Sequence, residues 1–259
     1  MPHTINTPNN NNNKIREEQK KVEEKRAVFI SYIELANYLN GKNETVIKNT
    51  IDDMLDNIKD FGLNMVILQV RSFSDAIYPS SIFPSSKTVV SKEGDPLPFD
   101  LLEYFITESH RRDLSLHAWI NPYRIRSNND TSTIHDSNPA FLLLGTRAVI
   151  QTENGIYYNP SVRETEELIL EGVSEILDNY DVDGIHYDDY FYPEGIEDEE
   201  EYLLAKASNE NLTLEEFRLE KTSSLIKKTY QKVKKKDKNL LFGIHSISIV
   251  YGKSEAKRS

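Results

Sequence analysis

The sequence contains no cysteine, which removes disulfides and thiolate metal sites from consideration. Long apolar runs are missing too. No stretch approaches the roughly 18 to 20 apolar residues of a membrane span. The first residues are polar where an export signal would place a charged start and an apolar core, so as written nothing exports the chain. An excess of basic residues is also lacking. Lys and Arg number 31 against 42 Asp and Glu, a formal charge of -11, and the cations are scattered instead of striped along one face. That argues against nucleic acid or an anionic membrane as the main partner, and favours a neutral or weakly charged ligand. What is present, 259 residues with 38% hydrophobic, suits a globular protein of one large domain or two small ones.

The first 25 residues, "MPHTINTPNNNNNKIREEQKKVEEK", join an Asn tract to dense mixed charge. Such a composition buries too little apolar surface to fold alone, and residues 1–25 read as a linker. From Arg26 to Ser259 short apolar runs alternate with segments of helical period, without an internal repeat. "AVFISYIE" (27–34) predicts a strand, followed by a helix at about 44–60 with Val46, Ile47, Ile51, Met54, Leu55 and Ile58 spaced for one buried face. "NMVILQV" (64–70) and "LSLHAWI" (114–120) predict the next strands. Between them Asp100 and Glu103 have capping-box spacing for a helix to about 112. Ser161 with Glu164 predicts another helix start, before the strand in "VDGIHYD". Thr213 with Glu216 opens a last helix, and "LLFGIHSISIV" (240–250) is a fifth strand.

Strand then helix five times, with strands apolar on both faces, predicts an α/β fold with a parallel sheet covered by helices. The loops after the strands are long (71–99, 121–160 and 188–212), whereas the helix-to-strand turns are only a few residues. That asymmetry favours a (β/α)₈ barrel, whose active site is built from the loops after its strands, over a doubly wound sheet. The absence of a glycine-rich phosphate loop after the first strand weighs the same way. Alternate strand residues share a face, so His117, Trp119 and Asn121 point one way, as do Gln69 and Arg71, and His186 and Asp188. One such buried polar residue is most often a satisfied core group. Three strands ending in polar residues at the same rim point to a concave site.

"LQVRSFSDAIYPSSIFPSS", "LSLHAWINPYRIR", "VDGIHYDDYFYP" and "FGIHSIS", in this order, resemble the glycosyl hydrolase-like 10 family of bacterial TIM-barrel glycosidases, from about Arg26 to the C-terminus. The resemblance implies a (β/α)₈ barrel acting on polysaccharide, in some members the denuded glycan strands of peptidoglycan, and therefore work in the cell envelope or outside the cell. Carried over by position, Gln69, Arg71 and Asp75 match the second-strand motif, and His117, Trp119, Asn121 and Tyr123 match the third. His186, Asp188, Asp189 and Tyr190 match the fourth. Two departures stand out. The turn after the fifth strand reads His245, Ser246, Ile247 where the family continues with a serine-proline-phenylalanine-like turn. Only five strands are counted where a barrel needs eight, so about three βα units are expected to be missing, as in a fragment, a truncated gene or a subunit closed from elsewhere.

Glycoside hydrolysis needs two carboxyl groups, about 5 to 5.5 Å apart for retention and wider for inversion. Asp188 is the expected nucleophile or base, with His186 beneath it to hold its carboxylate by a hydrogen bond. Asp189, Asp75 and Glu34 are rival second carboxylates. Trp119, Tyr123, Tyr187, Tyr190, Phe191 and Tyr192 offer faces for sugar stacking, although most such aromatics simply pack loops. Arg71 and Arg124 suit either substrate carboxylates or ion pairs with Asp75 or Asp188. No cofactor is expected. Two alternatives remain: a metal-dependent hydrolase or deacetylase using His117, His186, Asp188 and Asp189 on Zn²⁺ or Mn²⁺, which lacks a tight His-x-His or His-E-x-x-His spacing, and an inactive glycan-binding fragment.

Overall fold

The computed structural model describes residues 24–188, 191–193 and 195–245. The expected linker therefore lies almost wholly outside the described residues, as do Asp189, Tyr190, Ser246 and Ile247. Along the chain run β1 (Ala27–Ile30), α1 (Tyr32–Tyr38), α2 (Glu44–Asp60), β2 (Met65–Arg71), α3 (Leu101–Arg111), β3 (Ser115–Ile120), β4 (Arg124–Arg126), α4 (Pro139–Leu142), β5 (Val149–Thr152) and β6 (Gly155–Tyr158). There follow α5 (Arg163–Asn179), β7 (Gly184–Tyr187), α6 (Glu199–Lys206), α7 (Leu214–Lys236) and β8 (Leu241–Ile244).

Local chemistry explains most boundaries. Asn43 caps α2 by accepting from the Val46 N–H, and Ile47, Ile51, Leu55 and Ile58 are its buried stripe. Asp100 accepts from the Glu103 N–H at the start of α3. Thr213 and Glu216 form a reciprocal capping box on α7, whose last turn carries three lysines at the negative end of the helix dipole. Two expected boundaries are corrected. The first strand stops at Ile30 because Ser31 and Glu34 close a capping box that starts α1. Ser161 does not cap α5; its hydroxyl donates to Asn159 Oδ1 at 2.6 Å, and the N-cap is Val162 without a side-chain bond.

The central sheet has the order β1-β2-β3-β7-β8, with every pair parallel. Its outer face presents Val66, Leu68, Val70, Leu116, Ala118, Ile120, Ile185 and Tyr187 to the helices, in one core with Ile51 of α2, Phe105 of α3, Val173 of α5 and Leu225 of α7. This succession is that of a barrel wall. Among the described residues the sheet is not closed: β1 pairs with β2 and β8 with β7, and Phe29, Leu241 and Ile244 are 38–40% exposed.

The long loop after β3, expected as a connection, folds into a three-stranded antiparallel sheet of order β4-β6-β5. Gly155, at φ 153°, sits at its hairpin turn, where a Cβ would collide with the Arg126 carbonyl. A buried polar cluster joins this insertion to the loop after β2. Asn138 Nδ2 donates to the Ser74 carbonyl (2.9 Å) and to Glu93 Oε1 (2.7 Å). The Ser74 hydroxyl bonds both Asn138 Oδ1 (3.0 Å) and the Tyr158 hydroxyl (2.6 Å). Arg126 donates to the Phe73 carbonyl (3.1 Å) and pairs with Glu93, whose own carboxyl is pushed up by burial against the pull of Arg126.

Candidate active site

The inner face of the sheet carries the polar residues. Phe29 of β1 lies edge-on to Trp119 of β3 (ring centroids 5.4 Å), to His186 of β7 (5.5 Å) and to His245 just beyond β8 (5.4 Å). Asp188 follows β7 at the C-terminal end of the strands and is buried. Two donors meet at its Oδ2: Trp119 Nε1 at 3.3 Å and Asn121 Nδ2 at 3.0 Å. The Asn121 amide is itself anchored, since its Oδ1 accepts the N–H groups of Tyr123 (3.3 Å) and Arg124 (2.9 Å). His186 was expected to hold Asp188. Instead its Nε2 has no hydrogen-bond partner among the described residues, and Trp119 of β3, with Asn121 just after it, does the holding.

Two imidazoles occupy space left by glycines. His117 lies over Gly184 of the next strand, where a Cβ would come within 2.8 Å of Cε1, and His186 lies over Gly243, where a Cβ would come within 2.5 Å of Nδ1. Both ring nitrogens of His117 lack partners among the described residues. Burial pushes the His117 pKa down to about 4. For His186 burial comes first and the neighbouring His117 and His245 second, with the same result of about 4. Both are neutral near pH 7.

Several expected site residues do other work. The pairing of β2 with β3 shifts register between Gln69 and Arg71, which leaves Arg71 opposite the outward-facing Ile120. Arg71 is thereby placed on the helix side, stacked 3.9 Å from the Phe83 ring and against Gly172 of α5. Gln69 remains inward, and its Oε1 accepts the Tyr32 N–H (3.0 Å) where α1 begins. Tyr187 is fully buried on the outer face, bonded to Thr229 of α7 (2.9 Å), and Tyr123 is buried in the same core; neither ring is a sugar platform. Asp75 is buried in a turn, accepting from the N–H groups of Ser72 (3.3 Å) and Phe73 (3.0 Å). Glu34 stands at the rim on α1 instead of on a strand, its carboxylate accepting from the Ser31 N–H (2.8 Å). Arg124 rests on the rings of Phe73 and Tyr32 and donates to the Ser72 carbonyl (3.2 Å). Phe191 packs edge-on to Tyr187, and the Tyr192 hydroxyl donates to Asp198 (2.6 Å).

Phe29 and His245 are site residues that strand parity on β1 and β8 would have supplied. Among the described residues no three His, Asp or Glu side chains gather as for a metal ion. A groove of about 1240 Å³ lies between β5 and α6, with Arg147, Glu201 and Arg218 in its walls, and Trp119, Asn121 and Asp188 do not line it. No helix among the described residues is long and apolar enough to cross a membrane. Chemically, the described residues of the mouth offer a carboxylate held by two donors, neutral imidazoles and a partly buried indole.

Residues 24–256 match the model of a family described as glycosyl hydrolase-like 10. Over 237 residues the chain is 31% identical to glycosyl hydrolase YngK of Bacillus subtilis (strain 168), covering 87% of this chain and 45% of the relative. Over 203 residues it is 32% identical to glycosyl hydrolase DigH of Escherichia coli (strain K12), covering 74% and 46%. The chain thus spans about half the length of the curated relatives it matches. Among solved structures, alpha-L-fucosidase isoenzyme 2 from Paenibacillus thiaminolyticus superposes with a TM-score of 0.58 at 13% identity, over 86% of this chain and 33% of that one. That likeness carries the fold alone.

Proposed function

Because the chain belongs to the glycosyl hydrolase-like 10 family, we propose that it cleaves O-glycosidic bonds in a bacterial polysaccharide, with Asp188 as nucleophile or base. One observation carries the reading: a carboxylate at the C-terminal end of a parallel strand, held by Trp119 of the strand beside it and by Asn121 just beyond that strand's end. Its position is where barrel enzymes place their chemistry, and its fixed geometry is what attack on a sugar carbon, or activation of water, demands. The Trp119 indole adjoins the carboxylate, and the neutral imidazole of His186 lies on the same inner face, edge-on to Phe29; such surfaces suit a sugar's apolar face and hydroxyls.

The proposed substrate is the denuded glycan strand of peptidoglycan, which puts the proposed place of action in the cell envelope. A second carboxyl must serve as acid. Asp75 and Glu34 are engaged in a turn and a helix cap, which makes Asp189 the foremost of the expected partners. The test incubates the purified chain with denuded glycan strands and follows product release by chromatography, with and without EDTA. Hydrolysis that survives EDTA is the expected outcome; activity lost to EDTA and restored by Zn²⁺ or Mn²⁺ would transfer the chemistry to a metal.

A further inference from the structure

We propose that Trp119 and Asn121 are positioning residues that hold Asp188 in its ionised form, so that this residue attacks or accepts a proton and the proton donor is a different group. The catalytic meaning rests on the glycosidase reading above; the clamp itself stands on geometry. An indole N–H can only donate. An asparagine amide can present either end, but here two backbone N–H groups, of Tyr123 and Arg124, occupy its oxygen. A flipped amide would set its NH₂ against those two donors and its oxygen against the carboxylate, so Nδ2 is fixed toward Asp188. The backbone beneath is anchored as well, the Asn121 N–H donating to the Arg71 carbonyl (2.9 Å).

Both donors converge on the same oxygen, Oδ2, at 3.3 and 3.0 Å. A hydrogen bond to the charged form of an acid favours that form, and N–H donors on a carboxylate are stronger than those on a neutral acid. Among the described residues, the inner face carries the titratable groups His117 on β3, His186 on β7 and His245 after β8. Phe29 of β1 and Gln69 of β2 do not titrate, and Arg124 adjoins the far side of Asn121. The two buried imidazoles stay neutral, and the two donors described here, an indole and an amide, carry no charge.

Trp119 is the only tryptophan in the chain, so ¹⁵N-labelled protein shows a single indole N–H resonance, and its donor reports on Asp188 directly. With no glycan present, that resonance is expected to move with pH through an inflection in the acid range. Asp188→Asn should abolish the inflection, and His186→Gln should leave it in place. Asn121→Asp keeps an oxygen for the Tyr123 and Arg124 N–H groups but replaces the donor with a second acceptor, and should move the inflection up by about one unit or more. If Asn121→Asp fails to fold, Trp119→Phe is followed instead through the Asp188 carboxyl ¹³C resonance, with the same upward movement expected. An inflection that persists in Asp188→Asn, or stays in place when either donor is removed, overturns the proposal. Failure to cleave glycan would leave this outcome untouched, and would count only against the proposed function.

Discussion

At the scale of single residues, the replacement that separates chemistry from folding is Asp188→Asn. The amide is nearly isosteric, but it can neither attack nor accept a proton. Turnover on glycan strands is expected to fall by roughly 100- to 10,000-fold, with the thermal melt close to that of the native chain; retained turnover would move the role elsewhere. The inner-face histidines make a separate prediction. In the unfolded chain each imidazole titrates near its ordinary 6.5, and in the fold burial lowers it to about 4. Between those values the unfolded chain binds more protons. The stability contribution is therefore complete above about pH 6.5, is lost as pH falls through that window, and levels off near pH 4. Each unit of displacement corresponds to about 1.4 kcal/mol. Carboxylates titrate in part of the same range, so the informative measurement is the difference in denaturation midpoint between native protein and His117→Asn, which should shrink as pH drops from 6.5 toward 4.5.

At the scale of elements, β7 and β8 share a short pattern, Gly184-Ile185-His186 and Gly243-Ile244-His245. Each glycine makes room for an imidazole of the preceding strand. A Cβ at Gly184 would stand 2.5 Å from the Leu241 carbonyl as well as 2.8 Å from His117, whereas at Gly243 the nearest atoms all belong to the His186 ring. Backbone yields less readily than a side chain. Gly184→Ala is accordingly expected to cost about 1–3 kcal/mol in chemical denaturation, and Gly243→Ala less, with the His186 ring displaced in its NMR spectrum. The sequence shows the alternation that puts His117, Trp119 and Asn121 on one face of β3, because a strand's side-chain period is local. It does not show the register shift that turns Arg71 to the helices, since a bulge arises from how β2 meets β3. The start of α1 was legible, as Ser31 and Glu34 have capping-box spacing, but the apolar run from Ala27 to Ile33 outweighed it. The β5–β6 hairpin carried its own mark, Asn154-Gly155, between residues of strand type. The donors to Asp188 were legible as neighbours at the rim, and their convergence on one oxygen was not, because it depends on the alignment of β3 with β7.

At the scale of the whole molecule, strand edges govern behaviour in solution. β1 and β8 each have one partner among the described residues, and both expose apolar side chains; unpaired strand edges recruit other chains. Sedimentation of the 259-residue chain at rising concentration is expected to show reversible self-association, and a monomer throughout would mean that these edges are protected. The mouth behaves differently on its β2–β3 side. There the cluster of Asn138, Ser74, Glu93, Arg126 and Tyr158 ties two long loops together through buried bonds, and freezing a residue's backbone costs roughly 1–2 kcal/mol wherever it happens. Here that cost is met when the protein folds. The proposed glycan, arriving at this wall, would encounter a surface whose entropy is already spent, and the affinity gained from each contact would not be diminished by having to still the loops that supply it.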